Sequence, residues 1–128
     1  MTDWSCRVLE EHEVDRLLEK TSLCRLAMAA ADQPYLLPMA VQTEKDENGD
    51  YVFRMQSPLY GTKMEYLQAN RRVVLEFERP CDGGVESVVA FGIARFHLPK
   101  NGGGRAEIKV TPYQLSGRCC TKQKHPEE

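Results

Sequence analysis

Apolar and polar positions divide the chain into short amphipathic stretches separated by turn residues. Between Glu10 and Lys20, Val14, Leu17 and Leu18 recur at helical spacing among charged residues, which predicts a short surface helix lying as a lid on the core. From Leu23 to Ala30 the chain is apolar, Asp32-Gln33-Pro34 supplies turn chemistry, and a second apolar run extends from Tyr35 to Gln42. These runs predict two antiparallel strands. Asp46-Glu47-Asn48-Gly49-Asp50 is the next break, because Asn-Gly suits a turn of positive φ, and Tyr51 to Gln56 reads as a third strand. Met64 and Leu67 fall three apart in a stretch without Gly or Pro, which predicts a helix over about Thr62–Ala69 with Asn70 as its stop. Arg72 to Glu78 alternates, with Val73, Leu75 and Phe77 on one face, and reads as a fourth strand. Pro80 to Gly84 is a loop, Ser87 to Phe96 a fifth strand, Asn101 to Gly104 a flexible turn and Arg105 to Thr111 a sixth strand. The polar end from Lys122 to Glu128 reads as a frayed tail.

Six short strands with one or two short helices predict a mainly β fold, a small antiparallel barrel, because closure hides edges that an open sheet exposes. An open six-stranded sheet with helices on one face satisfies the same pattern. At 128 residues there is material for one core, so the expectation is a single domain over 1–128, with a lid at 1–20, a barrel at 21–118 and a tail at 119–128.

Composition narrows the function. Hydrophobic residues are 41% and charged residues 28%, near the globular average, which excludes disordered and fibrous classes. With 17 Lys and Arg against 19 Asp and Glu, the net charge is −2 and the basic residues are dispersed, so nucleic acid is not the expected partner. No apolar run approaches the roughly 18 residues that span a bilayer, and the start lacks a basic and apolar leader, so the expected location is cytoplasmic, with no membrane partner. The odd count of 5 cysteines at irregular spacing predicts reduced, mostly inert thiols.

The candidate chemistry lies at Ser57-Pro58-Leu59-Tyr60-Gly61-Thr62-Lys63, between a strand and a helix. The first N–H groups of a helix lack intrahelical partners and carry about half a positive charge, which favours a phosphate there. Lys63 adds a full charge, Ser57 and Thr62 add hydroxyl donors, and Gly61 permits close backbone approach. Taken locally, the same residues also suit an ordinary helix cap with a solvated lysine.

A longer order of segments resembles the pyridoxamine 5′-phosphate oxidase-like, FMN-binding split-barrel superfamily, nearest its nitroimidazole-resistance-like branch. Arg25-Leu26-Ala27-Met28 resembles the opening Arg-Leu-Ala strand, and Pro34-Tyr35-Leu36-Leu37-Pro38 the Pro-Tyr-apolar-apolar-Pro strand. Gln56-Ser57 through Gly61-Thr62-Lys63 is similar to the His-Ser…Gly-Arg-Lys segment, and Leu67 to Val73, with Asn70 and Arg71, to Leu…Asn-Pro-Arg-Val. Ser87-Val88-Val89-Ala90-Phe91-Gly92 and Leu115-Ser116-Gly117-Arg118 resemble the later strand and the closing Thr-Gly-Lys/Arg.

The resemblance implies a six-stranded split β-barrel and a homodimer holding FMN in two interface clefts. It implies that Ser57, Gly61, Thr62 and Lys63 hold the FMN phosphate, that Pro38, Met39 and Ala40 lie beside the isoalloxazine, and that Gln56 and Ser87 donate to the flavin's polar edge. The implied activity is an FMN-dependent oxidoreductase reducing a small electrophilic substrate with NAD(P)H-derived electrons; a non-catalytic flavin, deazaflavin or haem carrier or sensor is the alternative. A ligand-free interaction protein that kept the fold is a third class, which the intact Lys63 cradle argues against. Three positions depart from the pattern. Gln56 stands where many relatives carry His, Thr62 replaces an Arg, and Leu37 occupies the place of a phosphate-binding Arg in true pyridoxamine phosphate oxidases, so that specific activity is not implied. The short passage from Phe96 to Arg105 stands where longer relatives insert a helix.

No residue reads as a catalytic acid or base, since His12, His97 and His125 are scattered without a nucleophile beside them. Cys119-Cys120 with His125 lacks the ligand spacing of a zinc site, so no metal is expected.

Overall fold

The computed structural model describes residues 3–99 and 104–123. The elements run β1 (Asp3–Val8), α1 (Glu11–Lys20), β2 (Leu23–Ala30), β3 (Gln33–Ala40), β4 (Gln42–Lys45), β5 (Tyr51–Pro58), α2 (Thr62–Ala69), β6 (Arg72–Cys81), β7 (Gly84–His97) and β8 (Arg105–Gln123). The described strands form one antiparallel sheet in the order β3-β2-β6-β7-β8-β5-β4, with β1 pairing beside β5 on β8. The two ends of that order, β3 and β4, are consecutive in the chain and are separated only by Val41. Val41 is buried and its N–H donates to the Ser22 carbonyl at 3.0 Å. The sheet is therefore drawn round on itself by its own connectivity, and the split lies where β3 and β4 part.

The inward positions of each strand alternate as the sequence pattern requires. Val73, Leu75 and Phe77 of β6, Val88, Ala90 and Ala94 of β7, and Ala106, Ile108 and Val110 of β8 are all buried. Phe53 of β5 meets Phe77 with ring centroids 5.0 Å apart, joining the two halves of the sheet across the interior. Leu17 and Leu18 of α1 and Met64 and Leu67 of α2 complete the core. At its start α1 is tied to β1: the Arg7 guanidinium donates to both Glu13 carboxylate oxygens at 2.9 and 2.8 Å, and Glu13 also accepts the Glu10 N–H. Those bonds to the charged form hold the Glu13 carboxyl down at about 2.

Both predicted helices are present, and α2 has the expected bounds. The strand count differs. The expected strand Tyr35–Gln42 is cut at Val41 into β3 and β4, because its two parts pair with different neighbours, β2 and β5. The 1–20 lid contains a strand as well as a helix, since β1 pairs with the end of β8. All six β1 side chains are exposed, so no buried alternation announces that strand. The sixth strand continues past Thr111 through Pro112 to Gln123, because a register shift at Phe91/Gly92 absorbs the proline. Residues 119–123 are thus strand where a tail was expected; 124–128 lie outside the described residues, as do 101–103 of the expected turn. The Pro80–Gly84 loop shrinks to a turn at Asp82-Gly83, with Cys81 paired to Gly84.

The expectation of reduced thiols throughout is also corrected. Cys6 and Cys120 face each other in register between β1 and β8 and form a disulfide, while Cys24, Cys81 and Cys119 are free. A pairing of residues so distant in sequence follows from strand register, which cysteine spacing does not reveal.

Leu67 is fully buried beneath α2, so Leu67→Ala should lower the unfolding free energy by about 2–5 kcal/mol in a denaturant titration. The Glu13 carboxyl titrates lower folded than unfolded, so its contribution is present above its ordinary value of 4.5 and is lost as pH falls toward 2. The stability of Arg7→Ala should fall less steeply across that window than that of the parent.

Candidate functional site

The site is built where β5 hands over to α2. Gly61 is the N-cap residue, with φ 119° and ψ 176°, a conformation open essentially to glycine alone. Its carbonyl accepts the Glu65 N–H at 3.1 Å, which starts the helix, and no side chain caps the end. The N–H groups of Thr62, Lys63 and Met64 therefore have no intrahelical acceptor. Gly61 and Thr62 are exposed, and a Cβ added at Gly61 would meet nothing within 4 Å. The space in front of these donors is open.

Lys63 stands half-buried at this end, its Nζ 3.5 Å from Met39 Sδ on β3. Burial pushes its ammonium below the ordinary lysine value, and the charge of Arg105 pushes it further in the same direction. Arg105 is brought close by the sheet, since it is the register partner of Pro58 at the end of β5. Two like charges held together at an uncapped helix N-terminus form a place where an anion relieves repulsion and satisfies donors at once. Along its length α2 is pinned to the edge of the barrel. Tyr66 meets Tyr35 at 5.1 Å between centroids, and Asn70 Nδ2 donates to the Ala29 carbonyl at 3.0 Å.

The expected site residues fall into three places. Gly61, Thr62, Lys63 and Met39 come together at the start of α2. Ser57 lies beneath them on β5, fully buried, with its hydroxyl donating to the Pro58 carbonyl at 2.8 Å. Gln56, the next residue, points outward into a cavity of about 450 Å³ that it shares with His97, Leu98, Pro99, Arg105 and Glu107. Pro38 lines a second cavity of about 300 Å³ with Cys24, Arg25, Glu76 and Glu78. Arg25 forms ion pairs with both carboxylates there. Ala40 is exposed at the end of β3, opposite Leu23. Ser87 is the register partner of Glu78 and Arg118 on β7, beside the Pro38 cavity rather than the Gln56 cavity.

Two residues that sequence spacing did not mark join the site. Arg105 and His97 enter through cross-strand pairing: Glu107 is opposite both Gln56 and His97, which makes a row of three across β5, β8 and β7. A glycine-rich turn ending at Arg105 was the only local signal, and it does not reveal which strand the arginine faces. Glu107 is engaged by Arg54, whose guanidinium lies 2.7 Å from its carboxylate while also reaching Glu44 at 3.0 Å. Among the described residues, no group of three or more His, Cys, Asp or Glu side chains is placed to hold a metal, and His125 lies outside them.

The sequence model of the pyridoxamine 5′-phosphate oxidase family matches residues 10–97. No curated protein sequence matches the chain. Among solved structures, the fold is similar to that of an FAD-binding protein from Mesorhizobium loti, at 23% identity and a TM-score of 0.78, over 93% of this chain and 99% of that one. A protein assigned to 5-nitroimidazole antibiotic resistance from Bacteroides thetaiotaomicron superposes with a TM-score of 0.78 at 17% identity, covering 96% and 93% of the two chains. The FAD-binding protein of Mycobacterium smegmatis follows at 0.72 and 18%, over 90% and 98%. At these identities the likeness is one of fold.

Since Gly61 has open space and a backbone conformation closed to other residues, Gly61→Ala should cost about 1–3 kcal/mol through backbone strain alone. Urea unfolding of the ligand-free variant measures it; a midpoint equal to that of the parent would show that the helix start relaxes freely.

Proposed function

The chain belongs to the pyridoxamine 5′-phosphate oxidase family, and from that premise we propose that it is an FMN-binding oxidoreductase that works as a homodimer and reduces a small electrophilic substrate with NAD(P)H-derived electrons. The observation that carries this reading is the uncapped N-terminus of α2 between Lys63 and Arg105. The donor set fits a phosphate monoester: backbone N–H groups, the exposed Thr62 hydroxyl and two cations converge there, and Gly61 leaves the approach open. Arg105 takes the electrostatic place that Thr62 vacates relative to the family's arginine.

In this reading Lys63, Thr62 and Gly61 hold the phosphate, and Pro38, Met39 and Ala40 form the edge against which the ring lies. Ser57 supports the cradle from beneath, its hydroxyl orienting the end of β5. When bound, FMN supplies hydride and electron transfer at its ring, while the protein supplies position and electrostatics. The Gln56 amide would donate to the polar edge of the ring. Ser87 stands apart from Gln56 within one protomer, which supports a site completed by a second copy. The exposed apolar side chains Leu23, Leu36 and Tyr113 support such a contact surface, at 62%, 60% and 58% exposure.

The carrier reading has one observation in its favour. Glu107, the carboxylate of the Gln56 cavity, is already engaged in an ion pair with Arg54. The imidazole of His97 lines the same cavity.

The purified protein should carry, or take up, FMN with a flavin spectrum, and anaerobic NADH or NADPH should bleach it. A colourless protein that binds neither FMN nor FAD would overturn the flavin reading, and a bound flavin that neither donor reduces would favour the carrier. Lys63→Ala should weaken FMN binding by about 1.5–3 kcal/mol, ten- to a hundredfold or more, in fluorescence titration. Arg105→Ala should weaken it in the same direction and steepen no salt dependence, because it removes one phosphate-facing charge.

A further inference from the structure

The cysteines divide by strand face. Cys119 and Cys120 are consecutive on β8, so their side chains point to opposite sides of the sheet. Cys120 is bonded to Cys6 of β1 on one side. On the other side the Cys119 sulfur lies 3.8 Å from that of Cys81, the last residue of β6. Between them runs β7, and its residue at this point is Gly84, paired with both Cys81 and Thr121. A Cβ on Gly84 would lie 1.9 Å from the Cys120 carbonyl oxygen, so glycine is what lets β8 close on the hairpin here. Cys24, the fifth cysteine, is buried on β2, where desolvation pushes its thiol up to about 12.

We propose that Cys81 and Cys119 are a redox-modification site, a dithiol that a peroxide closes into a second disulfide joining β6 to β8 across β7. Two sulfurs brought to 3.8 Å from positions 38 residues apart in sequence, both partly accessible, make the start of such a site, and a shift of the β6 end brings them to bonding distance. The surroundings assign the order of events. Cys119 is the register partner of Arg7 on β1 and of Glu86 on β7, and Arg7 is the cation that faces it. Cys81 lies among Asp82, Glu86 and Cys119, and burial together with those neighbours keeps it protonated. Cys119, the thiol on the Arg7 side, therefore attacks one peroxide oxygen, losing its proton to solvent as it does. The O–O bond breaks, Cys119 becomes a sulfenic acid, and the departing hydroxide takes up a proton as water. Cys81 sulfur then displaces the sulfenic hydroxyl, which leaves as a second water with the Cys81 proton. In sum two thiols and hydrogen peroxide give one disulfide and two waters, the two electrons passing from sulfur to peroxide oxygen. With Cys6–Cys120 on the opposite face, the new bond would link β6, β8 and β1 covalently at one end of the barrel.

The test uses the full chain, exposed to a small excess of hydrogen peroxide, quenched with catalase, denatured without reductant and alkylated with iodoacetamide. Before oxidation the 3 free cysteines take label; after it label should remain on Cys24 alone, with a Cys81–Cys119 linked peptide in the tryptic digest. Dithiothreitol should restore all the lost labels. The oxidised chain should melt at a higher temperature than the untreated chain. Cys24→Ser should leave the linkage intact, whereas Cys81→Ser should leave Cys119 as a sulfenic acid that dimedone traps. Retention of label on both Cys81 and Cys119, or a disulfide joining either of them to a second chain, would overturn the proposal. So would equal dimedone capture at Cys24 and Cys119 in Cys81→Ser.

Discussion

One constraint organises the molecule: β3 and β4, the first and last strands in the sheet order, are neighbours in the chain, joined through Val41. Seven strands in an open sheet would hold those ends tens of ångströms apart at the usual strand spacing. A single residue cannot span that distance, so the sheet must curl until its ends lie near each other at Val41, although they do not pair. Everything that positions the candidate site follows from this. Curling brings β3 toward the end of β5, and the short helix that follows β5 then has an edge strand to lie on. The Lys63–Met39 and Tyr66–Tyr35 contacts record that fit. The cradle is thus a product of closure and not of its seven residues alone.

Closure also explains the length of β8. It pairs with β7 over most of its course, with β5 through Arg105–Val110 and with β1 through Arg118–Gln123. One strand serves both rims of the barrel, and the register shift near Gly92 lets it bend between them while tolerating Pro112. The rim carrying β5 holds the phosphate-suited donors. The rim carrying β1 holds four of the five cysteines. The anion-suited donors and the cysteines are in this way separated along one element.

What the sequence made legible was local. The helix over Thr62–Ala69 and the strands around Leu26, Phe77 and Val88 declare themselves because one face is buried, and burial imposes a period on the residue pattern. β1 imposes none, and β4 is four residues of Gln, Thr, Glu and Lys whose strand character comes from pairing with β5. The site divides the same way. Gly61-Thr62-Lys63 could be read directly, because a helix start is a local event. Arg105, His97 and the Cys6–Cys120 bond could not, because each depends on which residue stands opposite across a ladder. The order of motifs supplied the fold that local patterning left open between a barrel and an open sheet.

The electrostatics separate binding from catalysis. An anion site needs unpaired positive potential, and Lys63 beside Arg105 at an uncapped helix provides it at a cost visible in the depressed lysine. That cost has a direction: with its titration lowered in the fold, ionised Lys63 disfavours the ligand-free protein below its folded value, and the penalty fades as pH rises toward 10.5. A dianion placed there would reverse the sign, so the position that costs stability without a ligand is one that an anion would stabilise. Proton transfer needs a group free to change its charge. In the Gln56 cavity the amide cannot ionise, Glu107 is paired with Arg54, and the imidazole of His97 completes the row. The charge gathered at the start of α2 therefore suits an anion, while the Gln56 row beside it offers few groups for proton transfer.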